Sequence, residues 1–494
     1  MTDTTHDATP PAPAPAPAAE APAAAAVDDR RPPRLAQVPA FRDLMATGWI
    51  TPDRTPSTVP GAVEAAAAHR DRLSAAMPGV TMAVVSGYAP TRNDDCRYAF
   101  RADSDFVWLT GVQIEGAVLV MHAVPGGHDA VLHVPAPAHP GDPRFFSDAD
   151  HGELWVGPSP AHADWQRALG IPVRDPDRIA RDLAGVRDVR RAGAATGVPS
   201  ALADVPRDPA LVAALGGLRV IKDAWEVEEL RRAVDDTVEG FAEVVRAIPR
   251  ARAHGGERWL QGTFDRHART VGNGPGYATI VGGGAHATIL HWVRCDGPLR
   301  DGELVLLDMG VEARSLYTAD VTRTIPVDGA FTPEQRLVHD IVERSHRAGL
   351  DAVAPGRPLV DFHHASMEVV AQGLHDLGIL PVSVDEALSP AGQQHRRWLV
   401  CGIGHHLGLD VHDCSGAGTA GYDRAVEPGM VLTVEPGLYF PPDDATVPPE
   451  LRGIGVRIED DIVVTQTGSD VLSDALPIDA RGLESWMREQ RSPS

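Results

Sequence analysis

Residues 304–326 read LVLLDMGVEARSLYTADVTRTIP and set two aspartates, Asp308 and Asp320, into an otherwise apolar, β-branched hairpin. Residues 304–307 form an unbroken apolar run of the kind that makes a strand buried on both faces, and 321–327 alternates as its returning partner. A carboxylate inside such a strand must be paired, protonated or bound to a cation. Left ionised and alone it costs several kcal/mol, on the order of a domain's net stability. Two of them in one hairpin point to a cation; ion pairing to Arg314 or Arg323 is the alternative.

Further along, four segments place polar groups in apolar, glycine-punctuated surroundings. They are ILHW with His291, GHHLGLDVHD with His405, His406 and His412, VLTVEPGLYF with Glu435, and GVRIEDDIVV with Arg457, Glu459, Asp460 and Asp461. Asp308, Asp320, Glu435 and Glu459 are hard to explain as surface residues. With one or more histidines they balance two divalent cations, and two metals held close together need bridging carboxylates. An oxygen-rich set with an imidazole suits Mn best, with Co, Fe or Zn as alternatives. Taken singly, His291 reads as a satisfied core histidine and His406 as a packing residue. Arg457 reads as a partner for Glu459, and Asp460 and Asp461 as solvent-facing or turn-ending residues.

The chain around this region divides readily. Residues 1–34 are an Ala/Pro-rich tail whose composition cannot bury enough surface to fold. Residues 35–218 alternate helices (63–76, 161–169, 178–184) with strands (81–86, 117–123, 130–134), an α/β domain. Residues 219–485 run helix, helix, strands twice. The first round opens at Lys222-Asp223, has its second helix near 256–269 and a strand pair near 277–291, and ends on the aspartate hairpin. The second opens at Thr332-Pro333-Glu334, where an N-cap precedes Pro at the first helical position. It continues through a helix at 359–377 and strands near 430–439 and 456–464. Such duplication points to an internal structural repeat, with a cleft between its halves as the natural site.

At 494 residues the chain is too long for one core. Its 45 basic against 68 acidic residues, formal net charge -23, would repel nucleic acid. Four scattered cysteines without CxxC pairs argue against a disulfide framework or thiolate zinc site and fit a reducing cytoplasm. The N-terminus lacks the basic start and apolar stretch of a secretory signal. No run is long enough to cross a bilayer, so no membrane role is expected.

Taken together, VGGGAHATILHW, LLDMG, YTADVTRTIPV, GIGHHLGLDVHD, TVEPGLYF and GVRIEDDIV resemble the Xaa-Pro aminopeptidases (aminopeptidase P) of the creatinase-like, pita-bread metallopeptidases, and ADSDFVWLTGV resembles that family's N-terminal domain. The resemblance covers nearly the whole chain after the tail. It implies an α/β (α+β) architecture, with a creatinase-like N-terminal domain before a pseudo-twofold pita-bread catalytic domain. It implies metal ligands at Asp308, Asp320, His405, Glu435 and Glu459, with Asp320 and Glu459 bridging. His291 and His412 would line the substrate site and Arg457 support it. The implied reaction releases the residue before a proline in second position, by attack of a hydroxide held between two metal ions, with Glu435 carrying its proton to the leaving group. Relatives are often dimers or tetramers, so a homo-oligomer is expected. Two features depart from the family pattern: the Asp308 to Asp320 spacing is one residue longer, and Cys401 stands where many relatives carry histidine. A dipeptide-restricted prolidase or a methionine aminopeptidase would share the five ligands. A metal-free creatinase-type hydrolase or a non-enzymatic binding protein would have lost some of them.

Overall fold

A computed structural model describes residues 33–414 and 424–492. The expected tail at 1–34 therefore lies outside the described residues except for its last two. The described chain falls into two units. The smaller joins residues 33–54 to Pro137–Ser159, a grouping the sequence did not announce. Its helix Pro39–Met45 carries Phe41, packed edge-on against Phe146 at 5.2 Å, and Trp49 meets Phe145 at 5.1 Å. Arg54 grips Glu153 through two 2.7 Å hydrogen bonds.

The larger unit begins with a mixed five-stranded sheet, ordered Val173–Arg174, Gly127–His133, Val118–Val124, Thr81–Val85, Val189–Gly193. Its strands pair antiparallel in the centre (Met82↔Met121, Val118↔His133) and parallel at both edges (Thr81↔Val189, Leu132↔Val173). The helix expected at 178–184 is a 3₁₀ turn, Pro176–Arg178, followed by a single helical turn, Ile179–Asp182.

From Asp223 the duplication appears. Asp223 and Glu226 form a capping box that starts the helix Ala224–Ala253, and Gly256–Val271 packs against it. A three-stranded sheet follows, with Leu304–Met309 between Ile280–Gly283 and Val321–Pro326. The second round repeats the plan: Pro333–Ala352 capped by Thr332, then Val360–Asp376, then the sheet Val431–Val434, Asp460–Val464, Ser469–Val471. The two sheets meet where Glu459 N–H donates to the Thr322 carbonyl at 3.1 Å. In place of the strand pair expected near 277–291 there is one strand, Ile280–Gly283, and a 3₁₀ turn, Gly284–Thr288. The chain turns there because Gly284 adopts φ +55°, which ends extension.

Both late strands are also broken, at the same level. The ladder runs through Val434↔Asp460 and resumes at Gly437↔Arg457, so Glu435-Pro436 lie opposite Ile458-Glu459 outside it. Pro436 has no N–H to offer the ladder. The two glutamates thus occupy a gap in the sheet, where their carboxylates need not sit within a packed strand face.

The start of the helix Ala224–Ala253 is held to the helix Ala62–Ala76 by His69, which is buried. Its Nδ1 contacts the Trp108 carbonyl at 2.8 Å and its Nε2 contacts Asp223 Oδ2 at 2.9 Å, with the ring stacked on Trp108. Burial opposes a charge here, but Asp223 and Glu226 outweigh it and hold the imidazole up to about 9. A pKa raised above the unfolded value contributes stability that is complete below about 6.5 and is lost as pH rises through about 9. The melting temperature of wild type should accordingly exceed that of His69→Gln by a margin that shrinks between pH 7 and pH 9.5. A constant margin would show that the imidazole is neutral.

Candidate metal centre

Asp308 sits in the central strand opposite Thr322 and Ile280, and Asp320 immediately precedes the strand Val321–Pro326. His405 lies in a loop laid along Val431–Val434, with Thr433 N–H donating to the His405 carbonyl at 2.9 Å. A Cβ on the preceding Gly404 would collide with the Thr433 carbonyl oxygen, so only glycine permits this approach.

The structure brings these groups together. Asp320, His405 and Glu459 each place a ligand atom within 4.8 Å of the others. His405 Nε2 lies 3.4 Å from Asp320 Oδ2 and 3.6 Å from Glu435 Oε1, and its Nδ1 is 3.0 Å from the His406 carbonyl. A proton on Nδ1 donated to that carbonyl leaves Nε2 free to ligate, as metal-binding histidines require. Asp308 accepts from the Tyr277 hydroxyl at 2.6 Å and from Arg457 Nη2 at 2.5 Å. Glu459 accepts from the Thr322 hydroxyl at 2.7 Å.

The electrostatics point the same way. Burial raises the Asp308 carboxyl, Arg457 pulls it down and Asp320 raises it again. Glu435 is pushed up to about 7 by burial and by Asp320, against the pull of His405. Glu459 is driven well above the carboxylate range by burial and by its three carboxylate neighbours. Four carboxylates crowded against one imidazole and one guanidinium, with no thiolate ligand, are a donor set that fits divalent cations.

Several single-residue readings change. Neither Asp460 nor Asp461 faces solvent. Asp460 accepts from Arg323 Nη2 at 2.6 Å and Ser473 Oγ at 2.5 Å, and Asp461 accepts the Asp320 N–H at 2.9 Å. Arg323 therefore serves Asp460 and neither hairpin aspartate, while Arg457 pairs with Asp308. His291 and His412 are exposed, so His291 is no core histidine. The His412 ring stands edge-on to His405 at 4.4 Å, within electrostatic range of His291. His406 is buried, as a packing residue would be, and burial and Lys222 lower its imidazole to about 3. Cys401 is half-buried near Glu435, its thiol pushed up by burial and by that carboxylate. Tyr277 and Thr322, which donate to Asp308 and Glu459, are neighbours of these carboxylates that the sequence reading did not single out.

Comparison with known proteins places the chain in a family. The chain matches the metallopeptidase family M24 over residues 228–466 and the aminopeptidase P N-terminal domain over residues 66–191. It is 48% identical over 451 residues to Xaa-Pro aminopeptidase 2 of Streptomyces coelicolor, covering 90% of this chain and 95% of the relative. The chain belongs to the Xaa-Pro aminopeptidases of family M24. It is also 35% identical to the Xaa-Pro aminopeptidase of Escherichia coli, covering 83% of this chain and 94% of that one. Among solved structures, proline aminopeptidase P II from Yersinia pestis matches at TM-score 0.75 and 33% identity, over 86% of this chain and 99% of that one. Escherichia coli aminopeptidase P with the inhibitor Pro-Leu matches at TM-score 0.76 and 30% identity, over 88% and 100%. The fold is the pita-bread fold preceded by the aminopeptidase P N-terminal domain. The activity is that of a divalent-metal-dependent aminopeptidase acting where proline is second, and the dipeptide-restricted prolidase reading falls away. Among the described residues no helix is long and apolar enough to cross a membrane.

Proposed function

We propose that Asp308, Asp320, His405, Glu435 and Glu459 hold two divalent ions, manganese by preference, with Asp320 and Glu459 shared between them. The convergence of Asp320, His405 and Glu459 within 4.8 Å, flanked by two further carboxylates, carries this reading. Ions bound there would lower the pKa of water towards about 7 and so supply a nucleophile at neutral pH.

The protein's own groups then have distinct tasks. Glu435 carries a proton from the nucleophile to the departing proline nitrogen, which as an imide has no hydrogen of its own. His412 and His291, exposed at the mouth of the site, donate to the oxyanion of the tetrahedral intermediate. Arg457 donates to Asp308, to Thr322 Oγ1 at 3.1 Å and to the Tyr439 hydroxyl at 2.8 Å, which fixes the carboxylate's orientation and offsets its charge. We further place the domain boundaries at 34/35 and 218/219, with the catalytic domain ending near 485. The enzyme works as a cytoplasmic dimer or tetramer.

The test is reconstitution. Metal-stripped protein titrated with Mn, Co, Fe or Zn should recover full turnover of an Xaa-Pro-Yaa peptide only at two equivalents, and best with Mn. Full activity at one equivalent would exclude the dinuclear reading. A second measurement concerns substrate length. Residues after the proline supply binding energy that can be expressed in the transition state. Tripeptides and pentapeptides should therefore be cleaved with kcat/KM at least equal to that of the Xaa-Pro dipeptide sharing their first residue. Activity confined to the dipeptide would contradict it.

A further inference from the structure

Residues 284–297 carry His291 and, after the 3₁₀ turn Gly284–Thr288, hold no strand or helix. Among 289–294 only Trp292, the neighbour of His291, is buried, while Ile289, His291, Val293 and Arg294 are exposed. An irregular, exposed segment has few contacts of its own to fix a side chain. What holds Trp292 therefore sets where His291 stands.

Glu257, in the first turn of the helix Gly256–Val271, is 0% exposed and spends its whole carboxylate on this segment. Oε1 accepts from the Gly283 N–H at 2.8 Å and from His286 Nδ1 at 2.7 Å. Oε2 accepts from Trp292 Nε1 at 2.8 Å and from the Gly297 N–H at 2.7 Å. A carboxylate has about four acceptor sites, so all are filled, which is the condition for keeping its charge in so buried a place. The His286 ring also stacks on Trp292, centroids 3.8 Å apart, and the Glu257 N–H donates to the Gly297 carbonyl at 3.0 Å. One side chain thus ties both ends of the segment together and pins Trp292 between them. His291 in turn lies within electrostatic range of His412, whose ring stands edge-on to the proposed ligand His405.

We infer that Glu257 is a positioning residue for the reaction. Through Trp292 and the two glycine N–H groups it fixes His291 where that imidazole donates to the oxyanion. This role depends on the one proposed for His291, since Glu257 acts only through the segment that carries it.

Glu257→Gln keeps the shape, but whichever way the amide turns, its NH2 meets two N–H donors where an acceptor stood. In full-length, metal-loaded enzyme cleaving the tripeptide Ala-Pro-Ala, kcat should fall by up to about 10²-fold, the effect of displacing a catalytic group by on the order of 1 Å. KM and bound-metal content should stay near wild type, because an oxyanion contact is made only in the transition state. Trp292→Phe removes one of the four donors and keeps a stacking ring. It should lower kcat in the same way but less, and it carries the test alone if Glu257→Gln does not fold. His291→Ala supplies the deciding comparison: adding Glu257→Gln or Trp292→Phe to it should bring no further loss of kcat, whereas mere structural damage would multiply with it. Losses that multiply, or full turnover in each of the two variants that folds beside an impaired His291→Ala, would overturn the role of Glu257 and leave that of His291 standing. Full turnover in His291→Ala would remove both.

Discussion

Asp320→Asn should lower kcat by about 10²–10³-fold or more, at least the loss seen when one preorganised hydrogen-bond donor is removed from an active site, and should lower the bound-metal count. The substitution is nearly isosteric, and the Asp320 backbone N–H that holds Asp461 is untouched. Structural damage is therefore a poor explanation for lost activity. What changes is charge. An amide oxygen is a far weaker ligand for a divalent cation than a carboxylate, and Asp320 is within 4.8 Å of the ligand atoms of both His405 and Glu459.

The same change has an opposite consequence without metal. Asp320 raises the carboxyls of Asp308, Glu435, Glu459 and Asp461, which is the signature of repulsion among these carboxylates. Metal-stripped Asp320→Asn should therefore melt no lower than metal-stripped wild type. Added metal should stabilise wild type far more than the variant, because a ligand that binds only the folded state stabilises it in proportion to its affinity. Wild-type metal content with full activity in the variant would remove Asp320 from the centre. A metal-free variant that melts well below stripped wild type would mean that Asp320 is held by partners other than a cation.

The acids were legible because of where they stand in the chain. Asp308 follows four apolar residues, and Glu435 is enclosed by VLTV and PGLYF, so no surface strand accommodates them. The duplicated helix, helix, strands order was legible for a similar reason, since capping boxes and apolar periods are local. What connects the halves was not. Thr322 meets Glu459 across 137 positions, and Arg323 meets Asp460 across the same interval. Only the pairing of two separately built sheets creates those contacts. The Asp460-Asp461 pair was misread for that reason: a doublet of acids looks solvated unless its distant partners are known. The unit formed by residues 33–54 and Pro137–Ser159 was hidden likewise, because aromatic pairs such as Phe41 and Phe146 have no local signature.

The largest stability effect is expected at Arg323, which is 1% exposed and makes every one of its contacts inside the protein. Its Nη2 donates to Asp460 Oδ1 at 2.6 Å and to the Leu476 carbonyl at 2.9 Å. Its Nη1 donates to the carbonyls of Thr322 and Glu459, and its Nε to that of Pro477. One guanidinium thus ties the strand of the first half to the strand and following loop of the second. Arg323→Met keeps the volume but strands a buried carboxylate and leaves four carbonyls short of a donor. Breaking a buried ion pair from one side costs about 3–5 kcal/mol, which should be read as a lower urea midpoint in metal-stripped protein. The pH dependence identifies the stranded charge as the cause. Burial works against the Asp460 carboxylate, but Arg323, His346 and Ser473 hold it well below its ordinary range. In wild type it therefore contributes stability that is present above the unfolded value near 3.9 and is lost only as pH falls through its depressed native pKa. Without Arg323 the native carboxyl should instead take up a proton readily, so the deficit of the variant should be largest near pH 8 and smaller at pH 5. Arg323→Met combined with Asp460→Asn should recover part of the loss, since the second change removes the uncompensated charge that the first creates. A deficit independent of pH and additive in the double variant would instead assign the effect to the lost carbonyl contacts alone.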